Sequence, residues 1–196
     1  MNKFGTAVIL AGGESSRMGF DKQTLEIDNK RLIYTLASEL KQKFNEIIIS
    51  TNKPKLYIDT DYKLVSDEYK HKGPLSGLYS CLKTAKSEFV YFIACDMPII
   101  SLEYISHMKD ELKNENFDAC CGKFGAGFEP FNAFYSKNIL NTIHDILLTE
   151  NTSMKNLIES INTKIINIHS FLNEDGKSDL FFNLNTFEEL NKFTKQ

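Results

Sequence analysis

TAVILAGGESSRMGFDK, residues Thr6–Lys22, is the stretch from which the rest of the chain can be read. Its apolar run Ala7-Val8-Ile9-Leu10 has the aliphatic, β-branched character of a buried strand and breaks directly into Gly12-Gly13. Paired glycines after a strand let the backbone turn tightly and approach a ligand, because no Cβ intervenes. Consecutive amides in such a loop form a concavity for anions. Arg17 adds a planar fork and Lys22 a mobile point charge, two complementary ways to hold phosphate. Neither common phosphate loop is present. Lys22 lies between Asp21 and Gln23 rather than in Gly-Lys-Ser/Thr, and Gly12 and Gly13 are adjacent, with Gly19 next, so G-x-G-x-x-G fails as well. A solvated glycine turn is the competing reading. The glycines, arginine and lysine gathered after one strand favour a triphosphate cradle.

Working outward, Leu32, Ile33, Leu36, Leu40 and Phe44 fall at helical spacing over Arg31–Phe44. Glu46–Ser50 is a β-branched run suited to a buried parallel strand, and Lys63–Ser66 reads as a third strand. Gly73-Pro74-Leu75-Ser76-Gly77 opens a helix, where proline is tolerated in the first turn. Phe89–Ala94 is the most apolar strand, and Ser101 is an N-cap candidate for the helix carrying Leu102, Ile105, Met108 and Leu112. Strand–helix alternation of this kind predicts a parallel sheet covered on both faces. Beyond about Asn116 the rhythm changes. Asp118–Lys123 and Glu129–Tyr135 read as strands around Gly125-Ala126-Gly127, Ile139–Leu148 and Met154–Ile161 as helices, and Lys164–His169 as a strand. Thr186 followed by Glu189 has the pattern of a capping box. The expected fold is α/β: a three-layer α/β/α sandwich around a mostly parallel central sheet with a mixed edge. It is expected as one domain over 1–196, in halves 1–115 and 116–196, with Asn173–Asp179 as a surface loop.

Composition narrows the function. The chain has 196 residues and a net charge of −3, which gives no basic footprint for nucleic acid. No apolar leader precedes the first strand and no apolar run has membrane-spanning length. Cys81, Cys95, Cys120 and Cys121 form no C-x-x-C pair, so reduced thiols in the cytoplasm are expected. His71, His107, His144 and His169 show no zinc-type spacing.

Ligands of open α/β sheets bind at the carboxyl ends of the strands. The strands deliver Gly12, Gly13 and Arg17; then Ser50 and Asn52; then Asp67; then Asp96. Asp96 follows six apolar residues and needs a cation or donors. A hard carboxylate suits Mg²⁺; capping of the next helix is the alternative, disfavoured by Pro98 and the distance to Ser101. Asp67 is by itself an ordinary strand-end aspartate, and Asn52 reads either as a base or sugar contact or as a turn residue beside Pro54.

Leu10–Lys22 resembles the L-A-G-G-x-S-x-R-M-G-x-D-K signature of the molybdenum cofactor guanylyltransferases, part of a wider group of nucleotidyltransferases with a Rossmann-like fold. Cys95-Asp96-Met97-Pro98 is similar to that family's C-D-x-P pattern, Gly73–Gly77 to its G-P-L-x-G segment and Asn183–Leu190 to its N-x-N-T-x-E-E-L tail. Pro130–Tyr135 resembles the family's substrate-side strand loosely. The resemblance implies transfer of GMP from GTP to Mo-molybdopterin, with pyrophosphate leaving. It implies Arg17, Lys22 and Asp96 as catalytic groups, and Asp96 as the ligand of Mg²⁺ or Mn²⁺. Leu10, Ala11, Gly12, Gly13, Lys22, Asn52, Asp67 and Asp96 would contact the nucleotide, and Asn183 and Asn185 would lie near the pterin or the phosphates. Where the family often has an asparagine this chain has Ser50. A molybdoenzyme or its chaperone is the implied partner. A phosphate monoester is largely ionised at neutral pH and can attack without a strong base, which suits a chain with no Ser–His or Cys–His pair. Transfer of CMP, or to a sugar phosphate, fits the opening loop equally; a nucleotide-binding module without turnover is the reading from another class.

Overall fold

The computed structural model describes residues 2–12, 21–113, 116–124, 127–171 and 179–193. Fifteen regular elements follow in chain order, with short 3₁₀ turns between some of them. They are β1 (Thr6–Leu10), β2 (Glu26–Ile27), β3 (Lys30–Arg31), α1 (Leu32–Leu40), β4 (Glu46–Ser50), β5 (Lys63–Val65), α2 (Pro74–Thr84) and β6 (Phe89–Ala94). Then come α3 (Leu102–Glu111), β7 (Ala119–Phe124), β8 (Gly127–Ser136), α4 (Leu140–Leu147), α5 (Met154–Ser160), β9 (Thr163–Asn167) and α6 (Phe187–Phe193).

Seven strands form one sheet in the order β5-β4-β1-β6-β8-β7-β9. β5, β4, β1 and β6 are parallel, β8 runs antiparallel to both β6 and β7, and β9 is parallel to β7. The expected mixed extension is therefore built by β8, which carries the sheet across the change of rhythm near residue 116.

Strand alternation splits the core in two. Ala7, Ile9, Ile47, Ile49, Tyr91 and Ile93 face α1 and α3, with Leu36, Leu40, Ile105 and Met108 packed against them. Val8, Leu10, Ile48, Val90 and Phe92 face the opposite layer, meeting Leu75 and Leu78 of α2, Ile143 and Leu147 of α4 and Leu157 of α5. β1 is buried along its whole length, which is why its sequence is apolar without alternation. Each fully buried Ile or Leu is worth about 1.5–3 kcal/mol, so these two layers dominate the stabilisation.

Local expectations fare unevenly. Glu46–Ser50 and Phe89–Ala94 are strands with the expected bounds. Ser101 caps α3, its side chain accepting from the Tyr104 amide. The first helix is shorter than its pattern: it ends at Leu40, and Phe44 is buried from the turn that follows. The last strand stops at Asn167 and becomes a 3₁₀ turn over Ile168–Phe171. The β2–β3 hairpin has no counterpart in the periodicity. Asp28 and Asn29, at φ 51° and 60°, hold its turn in the left-handed region that short Asx side chains tolerate. Gly125, Ala126 and nearly all of the expected loop 173–179 lie outside the described residues.

Candidate active site

The chain places β4 on one side of β1 and, after β5, returns to place β6 on the other. The point where the winding changes direction opens a crevice beyond the strand ends. Here that crevice is a cleft of about 390 Å³ between the residues that follow β1 and those that follow β6. Leu10, Ala11 and Gly12 form one lip and Ala94, Cys95 and Asp96 the other, stitched by Cys95 N–H donating to the Leu10 carbonyl at 3.0 Å.

Ala11 and Gly12 line the cleft with their amides unequally available. Ala11 N–H already donates to the Ser50 carbonyl at 2.9 Å, which anchors the loop and removes that amide from an anion nest. Gly12 N–H makes no hydrogen bond among the described residues. A Cβ on Gly12 would meet nothing nearer than the Ser50 carbonyl at 4.0 Å, so this glycine leaves open room. Gly13 and Arg17, expected to complete the cradle, lie outside the described residues.

Lys22 begins a 3₁₀ turn over Lys22–Thr24, whose N-cap Asp21 accepts from the Gln23 amide at 3.2 Å. The turn is pinned from beneath. Buried Gln23 accepts at its side-chain oxygen from the Thr51 hydroxyl at 2.6 Å, and its carbonyl accepts from the Arg31 guanidinium at 2.7 Å. Arg31 also donates to the Leu56 carbonyl at 2.6 Å while lying over Tyr34 and Tyr57. Burial would raise the Asp21 carboxyl, but its bonds with Lys53 and Gln23 hold it below the usual range. Lys22 thus projects from a braced base. Its ammonium donates to Asp96 Oδ2 and, at 2.9 Å, to Asn185 Oδ1.

Asp96 is 7% exposed. It does not cap α3, a role taken by Ser101; its carboxylate lines the cleft, paired with Lys22. Its backbone carbonyl accepts from Leu184 N–H at 2.8 Å, which draws the Asn183–Asn185 segment over the cleft. Asn183 and Asn185 both line it, and the Asn183 side chain donates to the Phe181 carbonyl at 3.0 Å. Thr186 starts α6 by accepting from Glu189 N–H at 3.1 Å, while the Glu189 carboxylate accepts from Asn185 N–H at 2.7 Å. That reciprocal cap fixes the backbone carrying Asn185.

Asn52 and Asp67 stand together one strand end away and do not line this cleft. Asn52 donates to Asp67 Oδ2 at 2.7 Å and accepts from Asp67 N–H at 3.0 Å. Burial raises the Asp67 carboxyl, with Asn52 opposing that shift. A Cβ on Gly77 would stand 3.3 Å from both Asp67 Oδ1 and Leu10 Cδ2, so the pair adjoins the cleft through that glycine. Ser50, in place of an asparagine, is 1% exposed, and the same Cβ would lie 2.9 Å from its Oγ. Of the G-P-L-x-G segment, Pro74 reaches the cleft wall.

A residue the sequence did not single out completes the far wall. Glu129, with Phe131, lines the cleft from β8. Cys95 is buried, and that burial, with the neighbouring Asp96 charge, pushes its thiol up to about 12. Among the described residues no group of three or more His, Cys, Asp and Glu could hold a metal ion. Asp96 with Asn185 Oδ1 is a sparse oxygen set, the kind that suits a Mg²⁺ supplied mostly with phosphate and water.

The family model described as "MobA-like NTP transferase domain" matches residues 7–165. The chain belongs to the MobA-like NTP transferase family. Among its relatives, a protein of Peptoclostridium acidaminophilum named "Probable molybdenum cofactor guanylyltransferase" is 46% identical, over 98% of this chain and 89% of that one. A "Molybdenum cofactor guanylyltransferase" of Syntrophotalea carbinolica is 43% identical, over 99% of this chain and 92% of its own. In fold, the MobA-like chain is similar to the molybdopterin-guanine dinucleotide biosynthesis protein A of Archaeoglobus fulgidus, with a TM-score of 0.83 at 21% identity over 97% of both chains. The family model stops at residue 165, so the part of the cleft contributed by Asn183 and Asn185 lies beyond it.

Proposed function

We propose that this protein transfers GMP from GTP to Mo-molybdopterin, giving the guanine dinucleotide form of the cofactor and pyrophosphate. The observation that carries the reading is the junction of Lys22, Asp96 and Asn185 at the β1/β6 crevice, three groups from distant parts of the chain bonded at one point. Near-full-length similarity to relatives named as guanylyltransferases supports the choice of nucleotide and acceptor.

In this reading an oxygen of the acceptor's phosphate forms a bond to the α-phosphorus of GTP, and the bond from that phosphorus to the bridging oxygen of the β-phosphate breaks. Gly12 N–H and the Lys22 ammonium receive the triphosphate, and Lys22 neutralises charge on the leaving pyrophosphate. Arg17 takes the same part from the loop. Asp96 with Asn185 would hold a Mg²⁺ arriving with the nucleotide, and that ion supplies charge stabilisation at the phosphates. Asn52 and Asp67 contact the nucleoside beyond Gly77. Asn183 and Asn185 orient the acceptor, so catalysis is chiefly alignment. The reaction is placed in the cytoplasm, in keeping with four unpaired, buried cysteines, and the product is passed by transient contact to a molybdoenzyme or its chaperone. Among the described residues no helix is long and apolar enough to cross a membrane.

The test is pyrophosphate release by purified protein given Mo-molybdopterin, Mg²⁺ and GTP, CTP or ATP in turn. Release with GTP above the others is expected. Preference for CTP would reassign the nucleotide, and GTP binding without release would make this a binding module.

A further inference from the structure

The far wall of the cleft carries a carboxylate that the proposed transfer leaves without a task. Glu129 is half-buried, and one of its oxygens accepts from Phe131 N–H at 3.0 Å. Its side chain has no other hydrogen bond and no ion pair among the described residues. Burial raises its carboxyl, the Phe131 amide opposes that, and the Asp96 charge adds to the rise. The other oxygen is not buried and opens toward the cleft, where it can accept from a ligand. Phe131 lies two residues along β8, where the pairing with β7 is bulged, and lines the same cleft. The pair therefore offers a planar apolar face beside a free acceptor edge.

We propose that Glu129 and Phe131 form a subsite for the 2-amino-4-oxopyrimidine edge of the pterin acceptor. The ring lies on Phe131, and the ring N–H and exocyclic amine donate in plane to Glu129. This rests on the guanylyl-transfer reading and extends it to acceptor specificity. Guanine carries the same edge, and the placement decides between the two. Glu129 and Phe131 stand on β8, which flanks β6 on the side away from β1, while Gly12 follows β1 and Pro74 follows β5 in the chain. The nucleoside groups Asn52 and Asp67 are on the β1 side of β6, at the ends of β4 and β5. A flat ring suits an aromatic neighbour better than a hydrated ion does.

The test uses 6-hydroxymethylpterin as a fluorescent probe, with 6-hydroxymethyllumazine as a control lacking the 2-amino donor. The unsubstituted protein should prefer the pterin, and Glu129→Gln should lose that preference by about tenfold to a hundredfold, the range for hydrogen bonds to a charged group. Phe131→Leu should weaken both probes alike. GTP binding should be unchanged in both variants, which also reports that they fold. With Mo-molybdopterin as substrate, Glu129→Gln should raise the acceptor KM by a similar factor and leave kcat and the GTP KM near their original values. Unchanged pterin affinity, or an effect confined to the GTP KM, overturns the subsite. Failure of the unsubstituted protein to release pyrophosphate overturns guanylyl transfer itself; activity there with an unchanged Glu129→Gln variant overturns only the subsite.

Discussion

At the scale of single residues, Asp96 and Lys22 should separate chemistry from stability. Asn at position 96 keeps an oxygen that can accept from the Lys22 ammonium but removes the negative charge that the proposed transfer needs. Asp96→Asn should therefore unfold near the original midpoint while turnover falls by about 10²–10³, the scale of losing one electrostatic stabiliser. Lys22→Met behaves differently. It strands a carboxylate that is 7% exposed, at a cost of about 1–3 kcal/mol, and slows transfer as well. Urea denaturation and pyrophosphate release on both variants check this; normal turnover in Asp96→Asn would remove Asp96 from the mechanism. That Lys22 and Asp96 would reach one strand edge was legible in the sequence because each breaks a local pattern: a lysine closely following paired glycines, an acid ending an apolar strand. Glu129 was not legible. A charged residue at the start of a half-exposed strand is ordinary, and only the antiparallel placement of β8 beside β6 brings it to the cleft. The partnership of Asn52 with Asp67 was equally hidden, because it depends on two parallel strands ending level with one another.

At the scale of elements, the long apolar runs were read correctly because burial on both faces leaves little room for another pattern. The short β2–β3 hairpin and the 3₁₀ turn carrying Lys22 bury too little to leave a period, and they are held by polar contacts such as that of Arg31 with Gln23. Close approach between elements is also invisible in one dimension. Gly122 of β7 sits under the turn at Asp179–Phe181, and a Cβ there would come within 2.5 Å of Phe181 Cζ and 2.6 Å of the Tyr104 hydroxyl. Gly122→Ala should cost about 1–3 kcal/mol through overpacking. Adding Phe181→Leu should return part of that loss, since it shortens one of the two groups in the way. Denaturant midpoints of the two single variants and the double variant measure the coupling. An unaffected Gly122→Ala would mean that β7 and the turn can separate freely, and the tail would then owe its position to other contacts.

At the scale of the molecule, the cleft is assembled from both ends of the chain, and one buried amide joins them. Asn132 of β8 is 1% exposed; it accepts from the Tyr91 hydroxyl at 2.6 Å and donates to the Leu180 carbonyl at 3.1 Å. The sheet core is thereby tied to the segment that carries Asn183 and Asn185. Asn132→Leu leaves the Tyr91 hydroxyl without its acceptor, worth about 1–3 kcal/mol if it stays dry, and removes one tie to the Leu180 carbonyl. The double variant Tyr91→Phe with Asn132→Leu removes the orphaned hydroxyl and should recover stability, yet the bond from Asn132 to the Leu180 carbonyl stays lost. Global stability and tail order should therefore part company. Hydrogen exchange over residues 180–190 should stay faster than in the unsubstituted protein, while exchange in β1 and β6 returns to its original rate. Pyrophosphate release should remain slow in the double variant, and GTP binding should persist, because the turn carrying Lys22 is braced by Thr51 and Arg31 through Gln23, and Ala11 is anchored on Ser50, none of them in the tail. If exchange over 180–190 recovers together with stability, other contacts, the Leu184–Asp96 bond among them, hold the tail without Asn132.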